Sequence, residues 1–181
     1  MARPSIPPLN ARLCRRVSAL TLVSGLTFFV ANLALWLVPR WTDTAARLQA
    51  NLQTEPITLT PSVQALGLLV SSLSMATLFW ALWTARRLLL RLAAGDVLRH
   101  ETGVRLRQFG VAILAYAGVA PVTTSLTCFL VTMGNPPGQT IIRLGISDGT
   151  VVLALVGTVI MVIGSVLAEA AQVADEHRQI I

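Results

Sequence analysis

The stretch Val63–Ala85, "VQALGLLVSSLSMATLFWALWTA", decides the fold. It holds no charged side chain along its whole length. About 20 apolar residues in a helix cross the ~30 Å hydrocarbon core of a bilayer. A helix of that length on a soluble protein carries a charged face, and this one has none. Backbone N–H and C=O groups in lipid find no water, so the segment must satisfy them internally as a helix. It is followed at once by "RRLLLRLAAGDVLRHETGVRLRQFG", Arg86–Gly110, with six arginines against Asp96 and Glu101.

Working outward, three further apolar runs have the same character. They are Val17–Val38, closed by Pro39, then Phe109–Met133, and Gly149–Ala171. Within the four runs the only charged residue is Glu169. The composition agrees: 54% hydrophobic and 12% charged, where soluble domains carry roughly 25% charge. The expected fold is an all-α membrane protein, a four-transmembrane-helix bundle forming a single integral membrane domain over residues 1–181. Its spans are 17–38, 63–85, 109–133 and 149–171. The first run follows a basic leader (Arg3, Arg12, Arg15, Arg16). It is too long for a signal-peptide core and no small-x-small site follows it, so an uncleaved helix is expected.

The arginines orient the chain. All fourteen basic residues are Arg. Eleven lie in the N-terminal arm, the second-to-third connection and the C-terminal tail; Arg40, Arg47 and Arg143 lie in the other two loops. The positive-inside rule therefore predicts a multi-pass membrane protein with both termini and the Arg-rich connection in the cytoplasm. That connection lacks the interleaved aromatics of a nucleic-acid surface, so direct nucleic-acid binding is not expected. Attraction to anionic lipid headgroups is.

The pattern stays helical from about Pro61 to Ala94, longer than the membrane requires. Gly95 is a helix stop, and Asp96 can cap a returning helix from about Val97 to Met133. A helical hairpin projecting into the cytoplasm between the second and third spans follows, with Leu88, Leu92, Val97, Leu98, Val104 and Leu106 as its contacts. Within the third span, Pro121 removes a backbone hydrogen bond and should kink the helix. Thr123, Thr124, Ser125 and Thr127 follow it, and "SSLS" (Ser71–Ser74) lies at similar depth in the second span. These hydroxyls read either as a polar path or as interhelical packing. Gly157, Gly164 and Ala168 put small residues on one face of the fourth helix, suited to an internal contact or a homo-oligomer. Asn32 should find a hydrogen bond inside the bundle.

On the outer side, Trp41, Ala45, Leu48 and Leu52 suggest a short interfacial helix. The alternations in "PITLT" (Ile57, Leu59) and "IIRLGI" (Ile142, Leu144, Ile146) suggest a small two-stranded β element, with Ser147 or Asp148 capping the last helix. Cys14 and Cys128 are too far separated for a disulfide. His100 and His177 form no metal-ligand spacing. No Gly-rich phosphate loop, HExxH or GxSxG is present. No catalytic, cofactor-binding or metal residues are expected, and no enzymatic activity.

The order of a long apolar helix, "LAAGDVLRHETGVRLRQFG", a Pro-bearing span, "IRLGIS" and a last span ending "LAEAAQVADEHRQII" resembles the bacterial membrane family DUF2975, over roughly residues 65–181. Gly95, Asp96, Val97, Glu101, Leu106 and Arg107 fit that family's pattern. Leu98, Arg99 and Thr102 depart from it, which shifts the capping role to Asp96. The resemblance implies a bacterial inner (cytoplasmic) membrane protein with four membrane helices, no known catalysis, and a small helix-turn-helix regulator encoded nearby. The expected role is binding of a soluble regulatory protein at the cytoplasmic face; the alternative is a small transporter or channel component. The residues singled out are Gly95, Asp96, Arg99, Arg105, Glu169, Glu176 and Pro121. Glu169 should pair with Arg86, Arg87 or Arg107 at the base of the hairpin. Arg91, Arg99 and Arg105, with Asp175 and Glu176, should form the docking surface.

Overall fold

A computed structural model describes residues 8–94, 100–136 and 138–179. Its elements are α1 (Pro8–Leu37), α2 (Pro39–Ala50), α3 (Pro61–Ala93), α4 (His100–Thr132) and α5 (Asp148–Gln179). The local sequence sets most of these limits. Pro39 forces Val38 into an extended conformation (φ −90°, ψ 114°), which ends α1 and starts α2 in one step. Asn51 takes the left-handed conformation at the end of α2, and Leu52 N–H returns to the Arg47 carbonyl at 3.0 Å. Thr60 caps α3, accepting Val63 N–H at 3.3 Å, with Pro61 in the first helical position. Ser147, rather than Asp148, caps α5 through Thr150 N–H at 3.3 Å.

Four helices are long and apolar enough to cross a membrane: Arg12–Leu37, Pro61–Ala93, His100–Thr132 and Asp148–Ala174. At most 22% of each one's most apolar window is buried, so their side chains mostly face outward. Phe28, Leu69, Val122 and Val159, one from each helix, are all more than half exposed. Such continuous apolar surface is unstable in water and suits lipid.

The chain divides into two compact units. Unit 1 holds residues 1–25, 79–114 and 153–181; unit 2 holds residues 26–78 and 115–152. In unit 1, α4 and α5 meet along a seam of small residues. A Cβ on Gly103 would lie 2.5 Å from the Ala168 nitrogen, and one on Gly110 would lie 2.5 Å from that of Met161. Gly164 packs directly against the Arg107 backbone. The small face of the last helix therefore serves an internal contact. His100 adds a bond from Nδ1 to the Ala168 carbonyl at 2.9 Å, the ring nitrogen carrying the proton because a carbonyl only accepts.

In unit 2 the core gathers Trp36, Ala45, Ala46, Ala50, Val63 and Val131. The face that α2 buries is Thr42, Ala45, Ala46 and Ala50, whereas Trp41 and Leu48 are 50% and 69% exposed. The sequence had placed those two bulky residues with Ala45 and Leu52. The structure turns α2 so that alanines make the close approach. Trp36 lies against Gly67, and its indole donates to Gln49 Oε1 at 3.3 Å. Gln49 in turn donates to Asn32 Oδ1 at 3.0 Å, which gives Asn32 the expected internal partner.

The expected β element is not formed; among the described residues there is no strand. Both outer segments are extended but bind the end of α4 rather than each other. Thr58 N–H donates to the Val131 carbonyl at 2.9 Å. Ile141 N–H donates to Thr132 Oγ1 at 3.1 Å, and the Cys128 thiol reaches the Ile141 carbonyl at 3.3 Å. Gly145 N–H donates to Ser125 Oγ at 3.1 Å, so the segment after α4 runs back along that helix to Pro121. Hydroxyls and frayed carbonyls of α4 take the bonds a partner strand would have offered. α4 itself continues through Pro121 without interruption.

Candidate functional site: an arginine–tryptophan cleft

Trp80, Trp83, Thr84 and Arg87 recur on α3 at helical spacing, so they share one face. Arg105 and Gln108, three apart on α4, face them across a cleft of about 270 Å³ in unit 1. An adjoining hollow of about 370 Å³ continues the same stripe with Arg87, Leu90, Arg91 and Arg105. Arg87 and Arg105 line both.

Trp83 organises the cations. The Arg86 and Arg87 guanidinium carbons lie 5.5 and 5.3 Å from its ring centroid, within cation–π range. Phe79 stacks on the same ring at 6.3 Å. Arg91 pairs with Glu101 at 2.9 Å. Among the described residues Arg87 and Arg105 have no such carboxylate, and the Nε atoms of Arg86 and Arg105 are buried without a hydrogen-bond acceptor. No described acidic residue lines either hollow. Guanidiniums beside indoles, with no carboxylate or metal-ligand cluster nearby among the described residues, form a place to hold an anion.

Of the residues the sequence singled out, Arg105 reaches this cleft. Gly95, Asp96 and Arg99 lie outside the described residues, as does the turn they were expected to build. Glu176 lies on the last turns of α5, and its side chain is outside the described set. Pro121 lies in unit 2 beside Gly145. Glu169 is exposed and forms no ion pair among the described residues, so the expected junction with Arg86, Arg87 or Arg107 is absent. The glycine seam and His100 hold α5 to α4 instead. Sequence reading missed Trp80, Trp83 and Gln108. Their signal was present: positions 80, 83, 84, 87, 90 and 91 form a single helical stripe.

A second cavity, about 150 Å³, lies in unit 2 and is lined by Gln49, Ser71, Ser74, Tyr116, Thr123 and Thr127 among others. Its hydroxyls mostly serve their own helices. Ser71 donates to the Leu68 carbonyl at 3.0 Å, Thr123 to Ala120 at 2.9 Å and Thr127 to Thr123 at 2.8 Å.

Residues 16–181 match a family model described as a protein of unknown function, DUF2975. The chain belongs to the DUF2975 family. The match extends well beyond residue 65 toward the N-terminus and takes in the first apolar helix and α2 as well. Comparison with curated proteins and with solved structures gives no match. The DUF2975 assignment fits four membrane-spanning helices, and the cleft is the chemistry this member offers.

Proposed function

We propose that this chain is a non-enzymatic protein of the bacterial inner membrane. It spans the bilayer four times with both termini inside, and it acts by binding a soluble regulatory protein at its Arg-rich end. The observation that supports this most is charge without compensation. Arg86, Arg87, Arg105 and Arg107 gather where α3 ends and α4 begins, with no carboxylate engaging them among the described residues. Arginine forks suit acidic protein surfaces, and complementary charge speeds and orients docking. A helical hairpin extending past the membrane would present Arg91, Arg99 and Arg105 to such a partner. Cross-linking in native membranes tests the reading. A soluble protein should be captured by wild type and by Arg15→Gln/Arg16→Gln, and lost with Arg99→Gln/Arg105→Gln. If wild type captures none, the docking role is wrong.

A second reading, a small transporter or channel component, rests on the hydroxyl-lined cavity in unit 2. Solute flux into liposomes containing the purified protein would favour it.

A further inference from the structure

We propose that the cleft between α3 and α4 is a binding site for the phosphate of an anionic membrane lipid. It rests on the membrane-spanning reading and not on the docking of a soluble protein, so either can fail alone.

The first ground is how arginines elsewhere in the chain are treated. Arg47 donates to Asp43 at 2.9 Å and to the Glu55 carbonyl at 3.0 Å. Arg143 donates to the Asn51 carbonyl at 3.0 Å and pairs with Glu55. Arg91 holds Glu101. The chain supplies each of these with oxygen acceptors. Arg87 and Arg105, which border both hollows, receive none among the described residues, although Arg105 Nε is already shielded from water. A guanidinium presents its donors in a planar fork that matches two oxygens of a phosphate. Two such forks on opposite walls, with the Gln108 amide beside them, define a site for one tetrahedral anion. Trp83 holds the Arg87 head against its ring, which limits how far that fork can wander.

The second ground chooses between a lipid and a free anion. Trp80, on the wall of the cleft, is 44% exposed. Phe79 at 44% and Leu90 at 41% continue an apolar border along α3. Arg86 and Arg87 directly follow the uncharged run Val63–Ala85, so in a bilayer the cleft falls at headgroup depth, where Trp is favoured. A free phosphate would use the arginines and ignore this border. A lipid uses both, with its phosphate in the fork and its chains along Trp80 and Leu90. The hollows, about 270 and 370 Å³, are of headgroup size and leave the chains in the membrane.

Native mass spectrometry of the full chain in neutral detergent tests this, with phosphatidylglycerol and phosphatidylcholine at equal concentration. Wild type should retain one phosphatidylglycerol with roughly tenfold preference, the scale set by charge-assisted bidentate bonds. Arg87→Gln/Arg105→Gln should bind both lipids alike, while retaining wild-type helicity by circular dichroism. Arg15→Gln/Arg16→Gln removes equal charge from α1, away from any indole wall, and should keep the preference. If wild type shows no preference, the proposal is overturned without recourse to any variant. If the α1 variant loses the preference equally, bulk charge is the cause and the site is refuted. If excess inorganic phosphate displaces the lipid, the cleft holds a free anion and the lipid assignment is wrong.

Discussion

Glu55 shows how one side chain can tie two loops. Its carboxylate accepts the N–H groups of Gln53 at 2.9 Å and Thr54 at 3.1 Å, and it pairs with Arg143 from the segment after α4. Backbone N–H bonds, its own first, then that of Gln53, together with the Arg143 charge, hold its carboxyl below the ordinary 4.5. A depressed carboxylate stabilises the fold above its unfolded pKa, and that contribution is lost as pH falls through the folded value. Glu55→Gln should therefore lower the melting temperature near neutral pH. The gap to wild type should close as the pH is brought below 4.5, and a gap independent of pH would contradict the assignment. Thr132 offers a second single-residue test. Fully buried, its hydroxyl accepts from Ile141 N–H and donates to the Cys128 carbonyl at 2.8 Å. Thr132→Val keeps the shape but strands the Ile141 N–H, which should cost about 1–3 kcal/mol. Thermal unfolding in detergent measures it, along with faster amide exchange at Ile141. Neither residue's role was legible beforehand. A carboxylate in a polar loop and a threonine at a helix end each have many ordinary readings, and the Arg143 that Glu55 pairs with lies 88 residues away in sequence.

Among the elements, the α4–α5 seam makes the sharpest contrast within one helix. A Cβ at Gly110 would collide with the backbone of α5, while one at Gly118 meets nothing within 4 Å. Gly110→Ala should force the helices apart and destabilise by about 1–3 kcal/mol, the usual cost of overpacking. Gly118→Ala should be neutral or stabilising by up to about 1 kcal/mol, because alanine restricts the unfolded chain. Equal melting temperatures for the two variants would remove the seam from the account. The helices were legible because uncharged runs, prolines and caps are local signals. The expected Pro61–Ala94 became Pro61–Ala93, and Ser147 was one of two caps foreseen. The β pairing was misread because alternation reports an extended chain and not what the chain bonds to. α4 ends in Cys128, Val131 and Thr132, whose thiol, carbonyl and hydroxyl were available first. The turn of α2 was misread for a related reason: bulk attracts attention, yet the tightest contact belongs to alanine.

At the scale of the whole molecule, topology is the decisive prediction. Eleven of fourteen arginines on one side predict reporter activity from the cytoplasm at Gly95 and Ile181, and from outside at Ala50 and Gly138. An external signal at Gly95 would reverse the chain and put the cleft on the opposite leaflet. Membrane character was fully legible, since hydropathy is a property of composition along the chain. The cleft was half legible. Arg105 was foreseen as important, its charge read as a docking surface or as attraction to lipid headgroups. The indoles that make it a cleft were counted only as part of an apolar run. Charge alone cannot distinguish an arginine that meets water from one whose Nε is enclosed.

The glycine seam also bears on the order in which the molecule is made. α4 and α5 leave the ribosome after α1 and α3, and the residues where they touch most closely have almost no rotamers to freeze. Closing such a contact costs little side-chain entropy, so this pair can dock as soon as both helices are inserted. α1 meets its neighbours through flexible chains, Phe79 and Leu82 against Gly25, and those must be ordered as it settles. Assembly should then begin from the α4–α5 pair and recruit α1 afterwards, the reverse of the order of synthesis.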